Sequence, residues 1–155
     1  PFSVFPVGPI RLGIHICYDG SFPESARVMT LDGADLIVLP TNWPPKSECA
    51  AEHLPNCRAL ENVIYFMAVD RVGEERGFKF IGGSRIAGPG GETIHDCPHT
   101  REEIFYADID TDRSRQKRLI RVPGKHEIDR IKDRRPEMYG RIVEPVDASS
   151  GGGHT

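Results

Sequence analysis

No apolar run approaches the roughly 20 residues that a membrane-spanning helix needs, so none of these 155 residues is expected to enter a bilayer. No secretory signal pattern opens the chain. Cysteine is sparse, and Cys17, Cys49, Cys57 and Cys97 do not fall at disulfide-framework spacing, so a reducing, cytoplasmic setting is expected. No internal repeat and no heptad pattern appears, which excludes solenoids and coiled coils. His95-Asp96-Cys97-Pro98-His99 crowds two imidazoles and a thiol together, but no second Cys/His pair lies at finger-like spacing. The cluster is read as a polar surface loop, and no metal is expected.

Charge is unevenly placed. Residues 1–112 carry 9 basic and 17 acidic side chains, a net of -8, whereas residues 113–155 carry 11 and 6, a net of +5. A basic arm of this kind suits nucleic acid. Here, however, its Arg and Lys residues are interleaved with Glu127, Asp129, Asp133 and Glu137, and Tyr139 is its one aromatic platform between Arg113 and Arg141. A solvated or subunit-contacting arm is the better reading, with no nucleic-acid partner. Residues 146–155, rich in Ser and Gly, read as a flexible tail.

What is present is an α/β alternation. Strands are predicted over 12–16, 36–39, 64–70, 80–86 and 104–109, and helices over 23–31 and 55–62, Pro55 being placed in a first turn. Gly88-Pro89-Gly90-Gly91 reads as a turn between strands, residues 72–77 as a loop or hairpin turn, and the basic arm as irregular.

The most informative stretch is Ile16-Cys17-Tyr18-Asp19. An apolar strand ends on a cysteine, Asp19-Gly20 breaks the extended run, and Ser21-Phe22-Pro23-Glu24 reads as a capping box for a helix that stops at Gly33. A thiol beside a helix start meets a positive dipole end and unpaired N–H groups, which suits a nucleophile. Burial as a small hydrophobe is the alternative. His15-x-Cys17-x-Asp19 fits a nucleophile with structural neighbours better than three metal ligands.

Cys17-Tyr18-Asp19 with Phe22-Pro23-Glu24 and Arg27 resembles the nucleophile motif of the nitrilase, or carbon-nitrogen hydrolase, superfamily. Gly33-Ala34-Asp35-Leu36-Ile37-Val38-Leu39-Pro40 resembles that family's next strand, and Arg58-Ala59-Leu60-Glu61-Asn62 the helix end leading into 65–73. Gly83-Ser84-Arg85-Ile86 with Pro89-Gly90-Gly91 resembles its late hairpin, and Arg134-Arg135-Pro136-Glu137-Met138-Tyr139 its closing motif.

The resemblance implies an α/β fold, half of a four-layer α-β-β-α sandwich, with residues 1–145 as a partial domain that includes a basic arm over 113–145. It implies hydrolysis of an amide, N-carbamoyl or nitrile carbon-nitrogen bond through a thioester on Cys17, with the Tyr18 backbone N–H turned to the oxyanion and no cofactor. The family's triad is Glu-Lys-Cys, with glutamate and lysine ahead of cysteine, yet residues 1–16 contain neither. The expectation is therefore a C-terminal half whose base and lysine lie elsewhere, with one sheet face uncovered and association into a homo-oligomer. An acyltransferase of the same family and a non-catalytic oligomerising relic are the alternatives. Asp19, Arg27, Glu61 and Asn62 are read as structural. Thr41-Asn42-Trp43 follows the strand beside that of Cys17. Its indole either walls a substrate pocket, with Asn42 as a polar group, or fills the core.

Overall fold

The computed structural model describes residues 2–97 and 101–146. In chain order the elements are β1 (Val4–Val7), β2 (Ile10–Ile14), α1 (Pro23–Leu31), β3 (Leu36–Thr41), α2 (Glu48–Asn62), β4 (Tyr65–Asp70), β5 (Val72–Glu75) and β6 (Phe78–Ile81). Then come β7 (Arg85–Ala87), β8 (Thr93–Asp96), α3 (Thr111–Arg115), β9 (Arg118–Val122) and β10 (His126–Asp129). Six strands form one sheet in the order β1-β2-β3-β4-β7-β8, and β5-β6 and β9-β10 are separate hairpins.

Strands β2, β3 and β4 are parallel neighbours in sequence order, and the pairs at either side of them are antiparallel. Right-handed crossovers that step in one direction place their helices on one face of the sheet. Accordingly α1 and α2 touch each other, and Ala26 and Met29 of α1 and Ala51 and Ala59 of α2 share one core with Ile37, Leu39, Phe66, Ala68 and Ala87 of the strands. Alternation then sends Phe5, Val7, Ile14 and Val69 to the opposite face, where all four are exposed. Near Tyr65 that face is covered: the Asp110 N–H donates to the Tyr65 hydroxyl at 3.2 Å, and the Arg113 guanidinium lies 5.9 Å from the ring centroid. Ile86 and Leu36 on that face are buried as well, whereas Phe5, Val7, Ile14 and Val69 stand open.

Several local expectations are corrected. The capping box at Ser21 does not form: Ser21 ends a 3₁₀ turn, Phe22 occupies the N-cap without a side-chain bond, and Pro23 starts α1. The Ser25 hydroxyl instead donates to the Asp19 and Phe22 carbonyls, at 3.0 and 2.7 Å. Pro55 stands inside α2 and not in its first turn. It belongs to the buried stripe Ala51, Pro55, Ala59, Asn62, so packing against the sheet offsets the missing N–H. The strand expected over 80–86 is broken between β6 and β7, where Gly83 and Ser84 bind Asp70. Residues 104–109 form no strand. Phe105 stacks on His95 at 4.4 Å while Tyr106 is 90% exposed, so the apolar alternation has no neighbouring strand to satisfy. His95 and Asp96 lie in β8 and not in a loop.

The basic arm is ordered rather than irregular. Arg115 pairs with Asp35 at 2.8 Å, Arg113 pairs with Glu92, Lys117 donates to the Val63 carbonyl at 2.8 Å, and Arg130 donates to the Leu60 carbonyl at 3.0 Å. These cations are committed to the chain's own body. Burial pushes the Lys117 ammonium down to about 8. Residues 147–155, most of the expected flexible tail, lie outside the described residues, as does His99 of the proposed cluster.

Candidate active site

The site is built where the carboxyl ends of β2, β3 and β4 come together, the usual place for ligands in a parallel sheet. After β2, the His15 N–H still reaches the Val38 carbonyl at 2.9 Å. The chain then turns, and Cys17 takes a left-handed backbone with φ 45° at the head of the 3₁₀ turn Cys17–Ser21. That conformation costs a non-glycine residue energy and persists only when the surroundings enforce it.

Three contacts enforce it here. The Ile16 N–H donates to the Asp19 carboxylate at 3.0 Å, and the Asp19 N–H returns to the Ile16 carbonyl at 3.0 Å, so Asp19 braces the turn. Gly20 is buried flat on β3, where a Cβ would stand 2.7 Å from a Leu39 methyl. From α2, Arg58 donates to the Gly20 and Ser21 carbonyls at 3.2 Å and to Glu61 at 3.1 Å. Glu61 and Asn62 serve the helix end: the Asn62 amide donates to the Arg58 carbonyl at 2.9 Å. Arg27 donates to the Glu61 carbonyl at 2.8 Å, which ties α1 to α2.

Cys17 opens on a cleft of about 410 Å³ lined by Ile16, Thr41, Asn42, Val69, Asp70 and Arg71 among others. The Thr41 hydroxyl donates to Cys17 Sγ at 3.4 Å, an ordinary length for sulfur. Asn42 is exposed at the cleft. Trp43 is 8% exposed, belongs to the core shared with Ala51 and Ala68, and does not itself line the cleft. Its backbone matters more locally: the Trp43 N–H donates to Asp70 at 2.8 Å, and the Gly83 N–H to the other oxygen of Asp70 at 3.0 Å. Burial raises the Asp70 carboxyl above its ordinary range despite these donors. Asp70 thus ties the loop after β3 to the segment before β7. Tyr18 is largely exposed, with its ring edge-on to Phe22 at 5.1 Å.

The sequence reading missed Thr41 and Asp70. Their signal was positional: each ends an apolar strand in the way that Cys17 follows one. His15 and Cys17 do not form a ligand set, for His15 is buried among rings, 5.8 Å from Phe2 and 6.0 Å from Phe66. Among the described residues no group of three or more His, Cys, Asp or Glu is arranged to hold a metal.

A mixed α/β sheet thus carries a left-handed, hydroxyl-bound cysteine beside the carboxyl ends of its parallel strands. Residues 2–119 match the carbon-nitrogen hydrolase family, and the chain belongs to it. It is 45% identical over 140 residues to a nitrilase of Pyrococcus abyssi, covering 90% of this chain and 50% of that protein. With an N-carbamoylputrescine amidase of Solanum tuberosum it shares 30% identity, covering 96% and 52% respectively. An amidase of Nesterenkonia sp. AN1, with an acetamide moiety covalently attached at its active-site cysteine, superimposes with a TM-score of 0.73. That match has 26% identity and covers 93% of this chain and 48% of the other. The fold is the α/β fold of that family. The chain spans about half the length of the curated relatives it matches.

Proposed function

We propose that this chain is the C-terminal, nucleophile-bearing half of a cysteine-dependent hydrolase acting on an amide, N-carbamoyl or nitrile carbon-nitrogen bond. In this reading the Cys17 sulfur attacks the substrate carbon. For an amide, the C–S bond forms as the C–N bond breaks, and the nitrogen leaves protonated as ammonia or an amine. Water then adds to the thioester, the acid departs and the thiol is restored. The backbone N–H of Tyr18, next after the nucleophile on the turn, is the donor assigned to the oxyanion. Asn42 is assigned to substrate at the cleft mouth. Trp43 contributes by packing behind it. General base and lysine come from outside residues 1–16, and the uncovered sheet face is assigned to the facing layer of the sandwich.

The observation that carries the reading is the left-handed backbone of Cys17 with its sulfur held by Thr41 in the cleft. The test is the rate of iodoacetamide alkylation at each cysteine, read by peptide mapping. Cys17 is expected to react severalfold faster than the exposed Cys49 and Cys57, and to lose that advantage on unfolding. Equal rates for the three would sink the reading.

A further inference from the structure

We propose that the Thr41 hydroxyl is the positioning group for the Cys17 thiol, holding Sγ in one place by the hydrogen bond it donates; this rests on the reading of Cys17 as nucleophile. The sulfur stands on the turn after β2 and the hydroxyl at the end of β3, and each residue is also held by contacts of its own. Thr41 closes β3 and is registered opposite Asp70 of β4. Its carbonyl accepts from the Arg71 N–H at 3.2 Å, and two residues on the chain is held again by Trp43 N–H to Asp70 at 2.8 Å. Thr41 itself is 6% exposed, so water competes weakly for its hydroxyl. A β-branched side chain has few rotamers, and this one therefore presents its oxygen in a narrow range of directions. Cys17 is held from the other side by Asp19, by Gly20 on Leu39 and by Arg58.

The 3.4 Å contact joins these two frames, and among the described residues no other side chain hydrogen-bonds to Sγ. A thiol on a free χ1 samples three staggered wells. A donor fixed by the neighbouring strand selects one of them. For a nucleophile the consequence is kinetic, since misplacement of a reacting atom by an ångström is costly to rate. Valine in place of Thr41 keeps the shape and removes the donor, whereas serine keeps the donor and removes a methyl group.

The test uses the full 155-residue chain at pH 7, comparing alkylation of Cys17 with that of Cys49 and Cys57 in the same sample. Thr41→Val is expected to lower the ratio about threefold to tenfold, the range of one net hydrogen bond, while Thr41→Ser stays within about twofold of the parent. Equal ratios in the two variants, both parental or both lowered, overturn the proposal. Buried Cys97 reports folding. Should Thr41→Val lose Cys97 protection, Thr41→Ala is read by the same criterion. Loss of protection in both assigns the hydroxyl to stability and also overturns the proposal. A parent Cys17 no faster than Cys49 and Cys57 refutes the nucleophile reading instead, and the Val-to-Ser comparison still reads the hydrogen bond.

Discussion

His15 sits two residues ahead of Cys17 with 0% of its surface exposed, and among the described residues neither ring nitrogen has a hydrogen-bond partner. Burial holds its imidazole below the ordinary value of 6.5, with Asp19 and the nearby Ser25 backbone opposing that shift and Arg58 adding to it. As pH falls through about 6.5, the unfolded chain takes up a proton on His15 that the folded chain refuses. Stability is therefore fully present above that value and declines as the solution is acidified towards the folded-state pKa. Between pH 7 and pH 5 stability is expected to fall progressively. His15→Leu should flatten this part of the curve while leaving stability at pH 8 within about 1.5 kcal/mol of the parent. Urea unfolding at a series of pH values measures both. An unchanged slope in the variant would show that His15 is not the titrating group.

At the scale of elements, the basic arm is the part whose attachment can be broken cleanly. Asp35 leads into β3 and is nearly buried, and its carboxylate accepts from the Arg11 N–H at 2.9 Å, the Ser114 hydroxyl at 3.1 Å and Arg115 at 2.8 and 3.0 Å. Burial works against its charge, but the donors from Arg115, Arg11 and Ser114 together keep the carboxyl below its ordinary range. The stability it contributes is present above about pH 3.9 and lost as pH falls further. Asp35→Ala strands the Arg11 N–H, at a cost of about 1–3 kcal/mol, while the Ser114 hydroxyl keeps the Thr111 carbonyl at 2.9 Å. It should also loosen β9 and β10, so that brief trypsin treatment cuts at Arg118, Arg121 and Lys125 faster than in the parent. Parental cleavage kinetics in the variant would mean that Arg113, Lys117 and Arg130 hold the arm without Asp35. What the sequence made legible among these elements follows the strength of local signals. Helix α1 keeps its expected ends because Pro23 opens it and Gly33, at φ 87°, closes it. Helix α2 was half read because the local rule against interior proline gave way to packing, and the strand expected over 104–109 lacked a neighbour. Cys17 was legible because its signal is a strand running into a turn. Thr41 was not, because its contact with sulfur depends on how the ends of β2 and β3 align in register.

The whole molecule has two unlike sides. On one, α1 and α2 cover the sheet and carry its core; on the other, Phe5 is 51% exposed, Val7 48%, Ile14 44% and Val69 43%, with Leu12, Val38 and Met67 half-buried between them. The opposition follows from topology: sequential parallel strands with crossovers of one hand give both helices to the same face and none to the other. A contiguous apolar surface of this kind seeks a partner, either a facing sheet or a second copy of itself. The edge of β1, which has no second strand neighbour among the described residues, lies beside it and adds open backbone groups. This chain alone is therefore expected to self-associate as concentration rises, with the open face as the contact. Replacing Phe5 and Ile14 together by Lys places two charges on that face and leaves the helix-side core intact. Sedimentation velocity across a concentration series should show the double variant with a lower weight-average mass than the parent, while its thermal midpoint moves by only a few degrees. A mass series identical to the parent's would place the association on another surface, and a collapsed midpoint would show that these residues already support the folded chain.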